Sequence, residues 1–146
     1  MKRQREGGLL IAKIHYLGQR IFNKILKENQ IEINSAQGRI MFVLWRNEAI
    51  SIKELAKKTS LGKSTLTSML DRLENIDYIR RVPSKTDRRK ILIELTEKNR
   101  QLNNNFVKVS QEMNNIFYRG FTDNEIDSFE EYLSRIFRNL TEYNIK

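Results

Sequence analysis

The stretch that decides the fold is "SIKELAKKTSLGKSTLTSMLDRLENIDYIRRVPSKTDRRKILIEL", residues 51–95. Ser51, followed three residues later by Glu54, is a capping pattern that opens a short helix. The segment "TSLG" (59–62) is a turn, and a second helix follows it. Apolar side chains recur along that second helix at three- and four-residue steps, which predicts one buried face. These side chains are Leu66, Met69, Leu70 and Leu73.

Two short strands are predicted after this helix pair. The alternation in "YIRRV" indicates the first strand, and "KILIEL" the second, with Ile91, Ile93 and Leu95 on one face. Pro83 and the polar segment "SKTDRR" lie between them and form the loop of a two-stranded hairpin. The central region therefore reads as a helix-turn-helix followed by a hairpin with a basic tip, that is, a wing.

Further helices are predicted on both sides of this region. An amphipathic pattern covers about residues 8–28, and Asn34 with Gln37 forms a capping box for a second helix that ends near Trp45. After the hairpin, one long polar helix begins at Thr96, and a capping pattern at Thr122 opens the last helix. We therefore predict a mainly α fold with a small β-hairpin (α+β by strict count): a winged helix-turn-helix with flanking dimerisation helices.

Length and pattern also predict the domain organisation. The 146 residues fit one domain with a real core. Within this single domain, 1–146, we expect a winged DNA-binding lobe at 34–96 and a helical dimerisation region made of 1–33 and 97–146.

Charge and composition narrow the function. The net charge is +9, and residues 96–146 carry 7 basic and 8 acidic side chains, so the excess positive charge lies in the first two thirds. This distribution favours a polyanionic partner. There are no cysteines and one histidine, so we expect no disulfide, no metal site and no cofactor. No signal peptide or membrane-length apolar run is recognisable, which predicts a cytoplasmic protein without membrane contact.

The exposed side of the second helix of the pair is the first candidate site. Opposite its apolar stripe lie Lys63, Ser64, Thr65, Thr67, Ser68 and Arg72. Small hydroxyl side chains allow close approach to bases and phosphates, and the cations supply charge. The alternative is an ordinary solvated helix face. Such a face would be rich in Glu and Lys, whereas this one concentrates Ser and Thr, which are mediocre helix formers.

The hairpin tip is the second candidate site. A carboxylate two residues before an arginine can accept hydrogen bonds from loop amides or hold the guanidinium, which reduces the entropy lost when that side chain enters a groove. We therefore interpret Asp87 as the organiser of Arg89, an arginine suited to a narrow minor groove. A solvated basic turn is the competing interpretation, and loop statistics alone do not separate the two.

These residues carry a family resemblance. "INSAQGRIMFVL", the helix pair and above all "RVPSKTDRRKILIELTEKN" resemble the MarR family of bacterial winged-helix transcription regulators. The resemblance implies a homodimer on a pseudo-palindromic operator in double-stranded DNA. It places the second helix in the major groove and Arg89 in the minor groove, supported by Asp87. Two positions depart from the family pattern, because Asp77 and Asn99 stand where glycine is common; both residue types tolerate the left-handed backbone conformation.

The wing contributes its own residues to the expected DNA-contacting set, namely Arg81, Asp87, Arg88 and Arg89.

The first and last helices carry apolar stripes that a short chain covers only in part, so we expect an isologous dimer interface there. Its candidate residues are Leu10, Ile14, Leu17, Phe129, Leu133, Ile136, Phe137 and Leu140. Packing within one chain is the alternative for these stripes.

His15 and Tyr16 lie where such regulators often bind a small molecule, although a lone histidine is more often only an exposed or internally bonded side chain.

The leading hypothesis is a dimeric, sequence-specific DNA-binding transcription regulator, a repressor, released by a small phenolic or lipophilic ligand. The alternative is a winged-helix adaptor that binds protein without sequence-specific DNA binding. An enzyme is not expected, because histidine, cysteine and convergent acids are scarce and "GKST" (62–65) lacks the preceding glycine of a phosphate-binding loop.

Overall fold

The computed structural model describes residues 3–145, and in that range it contains six helices and three strands. The predicted mainly α fold is confirmed, and the sheet is small. The elements in chain order are α1 (Gly7–Glu28), α2 (Ser35–Leu44), β1 (Ala49–Ser51), α3 (Ile52–Thr59), α4 (Lys63–Asn75), β2 (Ile79–Pro83), β3 (Ile91–Leu95), α5 (Glu97–Phe117) and α6 (Asp123–Ile145).

Three helix starts have the caps that the sequence indicates. At α2 the Asn34 side chain accepts a hydrogen bond from the Gln37 amide (2.9 Å), and the Gln37 side chain accepts one from the Asn34 amide (3.0 Å). At α3 the Ser51 hydroxyl accepts from the Glu54 amide (3.2 Å). At α6 the reciprocal pair joins Thr122 and Glu125. Each cap satisfies backbone N–H groups that have no partner inside the helix, and so fixes where the helix begins.

The predicted hairpin of β2 and β3 is confirmed, and a third strand, which the sequence pattern did not predict, joins it. β1 pairs with β3, giving an antiparallel sheet of order β1-β3-β2 in which Ile50 lies opposite Ile93. Three residues are too few to show an alternating pattern, and Ser51 had already been assigned to the cap of α3. Ile50 is 2% exposed, so its burial beside Ile93 holds the short strand in place.

The chain divides into two compact units, one ending at Gln111 and the other beginning at Glu112. The predicted arrangement as a single domain with a winged lobe at 34–96 and a dimerisation region at 1–33 and 97–146 stays a prediction.

In the first unit, the core joins α2 to the helix pair and the sheet. The fully buried side chains of α2 are Ile40, Met41 and Leu44, and this helix packs on α3 and β3. The predicted inner face of α4 is also turned into the core. In that face Leu66, Leu70 and Leu73 are fully buried, while Met69 is half-buried. Ile93 and Leu95 of β3 are buried as predicted, but Ile91 remains 49% exposed, because it lies beside the connecting loop, at the tip end of the hairpin.

The second unit contains the end of α5 and all of α6. Tyr118 packs edge-on against Phe129, and its hydroxyl donates a 2.7 Å hydrogen bond to Glu130. Partial burial of the phenol, together with this bond and the negative charge of Glu130, raises the pKa of Tyr118 to about 12. None of the residues of α6 that the structure describes is buried within the chain. In residues 3–145 no helix is long and apolar enough to cross a membrane.

Candidate nucleic-acid interface

The helix pair α3–α4 orients the first candidate surface. Ser60 ends α3 in the left-handed conformation (φ 56°), which turns the chain sharply before Gly62 precedes α4. Burial of the leucine stripe of α4 then leaves the opposite side of that helix facing solvent. Lys63, Ser64, Thr65, Thr67, Ser68 and Arg72 are all exposed, as the periodicity of the sequence implies.

The structure brings four of these six residues together. Lys63, Ser64, Thr67 and Ser68 line one shallow concavity, and Asp71 closes its end. The Thr67 hydroxyl donates to the Lys63 carbonyl (2.9 Å), so its oxygen still offers lone pairs outward. The surface thus carries one ammonium group, several small hydroxyl groups and one carboxylate.

Arg72 faces a different concavity from that group. Its neighbours there come from α1, from the segment before α2 and from the end of α4, and they include Asn23, Lys27, Glu32 and Asn75. Thr65 borders neither concavity. The predicted set on α4 therefore falls on more than one side of the helix, a separation that the spacing of exposed residues alone did not reveal.

Arg81 lies on β2 and is held by two acids of α4. Its two terminal nitrogens donate to Glu74 Oε1 (2.7 Å) and Asp71 Oδ1 (2.8 Å), and its side chain is 23% exposed. A guanidinium can make two such bonds at once because its donors form a fixed planar fork. Arg81 thus ties α4 to the sheet. Sequence reasoning missed Asp71 and Glu74 as its partners, although their spacing of three on one helix face was a usable signal.

The wing tip is ordered by Ser84 and Asp87. The Ser84 oxygen accepts from the amides of Thr86 and Asp87 (both 3.3 Å), and Ser84 and Lys90 are joined by a backbone hydrogen bond of 2.9 Å. Asp87 Oδ1 accepts from the Arg89 backbone amide (3.0 Å) and lies 3.4 Å from Arg89 Nε. Asp87 therefore makes both contacts considered for it: one to a loop amide and one to the guanidinium.

Positive charge is concentrated at this tip. Lys85, Arg88, Arg89 and Lys90 are exposed, and the Arg89 side chain is 92% exposed in spite of its contact with Asp87. Within residues 3–145, Lys85, Arg88 and Lys90 make no ion pair. Lys85 and Lys90 were not among the predicted site residues, although they flank the predicted ones directly in sequence.

The predicted dimer residues remain uncovered in the single chain. On α1, Leu10, Ile14 and Leu17 are each close to half exposed. On α6, Phe129 is half-buried, and the exposed fraction of the other four rises from 36% at Leu133 to 65% at Leu140; these four are Leu133, Ile136, Phe137 and Leu140.

The predicted ligand residues His15 and Tyr16 are also exposed on α1, where the Tyr16 ring lies 5.7 Å from the Arg20 guanidinium carbon. Among residues 3–145, no group of three or more His, Cys, Asp or Glu side chains is arranged to hold a metal ion.

A helix-turn-helix whose second helix exposes small hydroxyls, followed by a cationic hairpin, defines the class of winged helix-turn-helix proteins. The model of the MarR family matches residues 33–91, which include both helices of the pair and the wing. Residues 33–91 of this chain therefore resemble the MarR family.

Two relatives support this assignment by sequence. TtmR of Methylorubrum extorquens (strain PA1), an HTH-type transcriptional regulator, is 35% identical over 91 residues, which are 62% of this chain and 45% of TtmR. PecS of Dickeya dadantii (strain 3937), also an HTH-type transcriptional regulator, is 28% identical over 133 residues, 89% of this chain and 79% of PecS. The chain thus spans less than half the length of the first relative and most of the second.

Solved structures share the fold. A cysteine-to-serine mutant of MarR from E. coli, crystallised with operator DNA, is similar with a TM-score of 0.78 and 26% identity; 88% of this chain and 91% of that chain are covered. A MarR transcriptional regulator from Methanosarcina mazei Go1 reaches a TM-score of 0.81 at 24% identity, with 93% and 96% covered.

Proposed function

We propose that this chain is a dimeric transcription regulator that binds double-stranded DNA sequence-specifically, with α4 in the major groove and the wing in the minor groove. The observation that carries the proposal is the pairing of two features in one lobe. One is the hydroxyl-rich, exposed face of α4, and the other is a wing tip on which Asp87 contacts an almost fully exposed cation, Arg89. The first is suited to base edges and the second to the negative potential of a narrow minor groove.

The electrostatics of the lobe favour DNA over a protein partner. Four cations lie within six residues at the wing tip (85–90), opposed by the single carboxylate of Asp87. Such a density of unpaired charge is unfavourable in most protein interfaces, whose cores are depleted of charged residues. On DNA each cation can neutralise a phosphate and release a counterion.

We assign the DNA contacts on this basis. Lys63, Ser64, Thr67 and Ser68 read the major groove, while Arg88 and Arg89 contact the minor groove or its phosphates. Thr65 and Arg72 are assigned to flanking phosphates, because they lie outside the concavity of the other α4 residues. Arg81 and Asp87 act by holding neighbouring groups. The E. coli MarR mutant, which shares this fold over 88% of the present chain, was crystallised with operator DNA, and this supports DNA as the partner.

Dimerisation is proposed from the uncovered apolar stripes of α1 and α6. A second copy of the chain is their proposed cover, with residues 1–33 and 97–146 forming the interface and 34–96 the DNA-binding lobe. An isologous dimer would present two lobes to the two halves of a pseudo-palindromic operator. Light scattering at micromolar concentration should return twice 17.4 kDa, and a value of 17.4 kDa would contradict this proposal.

We further propose repression released by a small phenolic or lipophilic ligand near His15 and Tyr16. Both side chains are exposed on α1, the helix that also carries part of the proposed interface. A ligand there would act only if it bound one arrangement of the two lobes more tightly than another. The proposal predicts that some members of a panel of phenolic compounds weaken DNA binding in the wild type but not in a His15→Ala/Tyr16→Ala variant.

One experiment tests the function as a whole. Duplexes bound by the full chain are selected from a random pool, and the affinity of the enriched duplex is measured against salt concentration beside a scrambled duplex of equal composition. We expect enrichment of a pseudo-palindrome and a log–log slope corresponding to several phosphate contacts. Failure to enrich any sequence, combined with salt-insensitive binding, would favour the protein-binding adaptor instead.

A further inference from the structure

The end of the recognition helix α4 is bonded in an unusual way to the start of α5. The turn after α4 consists of Ile76, Asp77 and Tyr78 and is here called the 76–78 turn. Each carbonyl accepts a hydrogen bond from a different side chain of α5 or its cap, here called the clamp residues: Thr96, Lys98 and Asn99. Lys98 Nζ donates to Ile76 O (2.9 Å), the Thr96 hydroxyl to Asp77 O (2.5 Å) and Asn99 Nδ2 to Tyr78 O (3.0 Å).

The 76–78 turn needs such support because one of its residues has an unfavourable backbone conformation. Asp77 has φ 63°, in the left-handed region that a residue with a Cβ adopts at some cost. The amides of Asp77 and Tyr78 turn back onto Glu74 O (3.0 Å) and Leu73 O (2.9 Å), which closes α4 with a Schellman motif. The carbonyls of the turn itself point away from the helix, and the clamp residues satisfy them.

Asn99 extends this bonding into the core. It is 1% exposed, and its Oδ1 accepts from the indole Nε1 of Trp45 at 3.1 Å. The Trp45 ring in turn packs 4.2 Å from that of Phe106, further along α5. Asn99 is helical rather than left-handed, so tolerance of that conformation does not explain its presence. One buried amide therefore joins α2, α5 and the end of α4.

We propose that the three clamp residues position the recognition helix, so that its exposed face meets base edges in register. This rests on the DNA-binding function proposed above. A small change at the clamped end moves the other end of α4 because the helix is long: 13 residues at a rise of 1.5 Å span about 20 Å. A tilt of about 3° at the clamped end therefore displaces Lys63, at the far end, by about 1 Å. Hydrogen bonds to bases do not survive such a shift, because their distances vary by only a few tenths of an ångström.

Contacts to phosphates respond differently to the same tilt. They depend on charge acting over several ångströms and on long, adaptable side chains. The clamp is consequently expected to control the ratio of operator to non-operator affinity, while leaving non-operator affinity almost unchanged. A residue that merely stabilises the fold would not separate these two quantities.

The test compares Thr96→Val, Lys98→Met and the double variant with the wild type. Lys98 is exposed, so its replacement leaves the core intact, and Lys108→Met is a matched control with the same charge change at another exposed site of α5. The probes are a duplex selected from a random pool and a scrambled duplex of the same composition. For the double variant we expect an about tenfold fall in the affinity ratio, the scale of one mismatched base pair. Lys108→Met should leave the ratio unchanged.

Hydrogen exchange supplies a readout that does not need DNA. The amides of Asp77 and Tyr78 should exchange faster in the double variant, while those in α2 keep their rates. Equal acceleration throughout the chain, or an unchanged affinity ratio with faster exchange only at the turn, would overturn the positioning role. If the wild type itself selects no duplex, the proposed function is wrong. If the wild type selects a duplex and the clamp variants discriminate equally well, only the positioning role of the clamp residues is wrong.

Discussion

Two arginines eight positions apart, Arg81 and Arg89, are both paired with aspartate, yet they are placed in opposite ways. Arg81 bonds Asp71 and Glu74 at 2.8 and 2.7 Å with its side chain 23% exposed, whereas the Arg89 guanidinium lies 3.4 Å from Asp87 with its side chain 92% exposed. The Arg81 guanidinium is bonded to carboxylates of its own lobe, whereas the Arg89 guanidinium is contacted by Asp87 and still exposed to a binding partner. Pairing with an acid therefore does not distinguish the proposed DNA contact, Arg89, from Arg81; the exposure that remains after pairing does.

The largest effect should come from removing the available arginine. We expect Arg89→Ala to weaken binding to the selected duplex by about 1–3 kcal/mol, the scale of one good contact in a groove. The salt slope should fall by about 1, since one cation is lost from the interface. Fluorescence anisotropy measures both quantities, and the melting temperature should not change because the side chain touches little of the fold. Unchanged affinity would remove the wing tip from the mechanism.

Replacing the internal arginine should give the reverse pattern. Arg81→Met is expected to lower the free energy of unfolding by about 1 kcal/mol, near the upper end for partly exposed ion pairs because the fork has two partners. The salt slope should stay at the wild-type value, since Arg81 is not available to a phosphate. Urea denaturation gives the stability. Arg80→Met, next in sequence and paired only with Glu94, is the matched control and should be milder. A fall in slope for Arg81→Met would return Arg81 to the DNA-contacting set.

Asp87→Asn tests whether Asp87 organises Arg89. The sign of the resulting change in DNA affinity decides between an organising role and a purely electrostatic one. If Asp87 acted only through its charge, neutralising it beside a polyanion would strengthen binding. As an organiser of Arg89 it should instead weaken binding by about 0.5–1.5 kcal/mol, the cost of ordering one long side chain on association. In an Arg89→Ala background the same substitution should lose its weakening effect, because nothing remains to be organised. Tighter binding of Asp87→Asn in the wild-type background would refute the organising role.

The contrast between the arginines also marks how far the sequence could predict the molecule. Contacts within a few residues were accessible from pattern: the capping boxes at Asn34 and Thr122 and the Asp87–Arg89 contact are all local. The pairing of Arg81 joins a strand to a helix ten residues earlier. The spacing of Asp71 and Glu74 on one helix face was a signal for a cation, but it did not identify Arg81 as their partner. β1 was missed for a similar reason, because its pairing with β3 spans more than 40 residues.

Longer-range packing limited the site prediction in the same way. Arg72 and Ser68 share an exposed helix surface in the sequence pattern, but only the neighbouring elements determine that Arg72 borders the end of α1. The clamp residues were not predicted either, since the sequence pattern indicates Thr96 only as the start of a long polar helix. It does accept from the Asn99 amide (3.2 Å), while its hydroxyl also donates across to Asp77.

The smallest effect is expected at a third pairing, Tyr118 with Glu130, whose donor is a phenol that loses its proton at high pH. The pKa of Tyr118 is raised from 10 to about 12, so its contribution to stability is complete below pH 10 and is lost as the pH rises from 10 to 12. Absorbance titration of the phenols should show one group fewer titrating near pH 12 in Tyr118→Phe, whose melting temperature should also decline less over that interval. Because the tyrosine is in the second unit and the proposed DNA contacts are in the first, DNA affinity at neutral pH should be unchanged. An equal decline in the wild type and Tyr118→Phe would mean that folding does not raise the pKa of Tyr118.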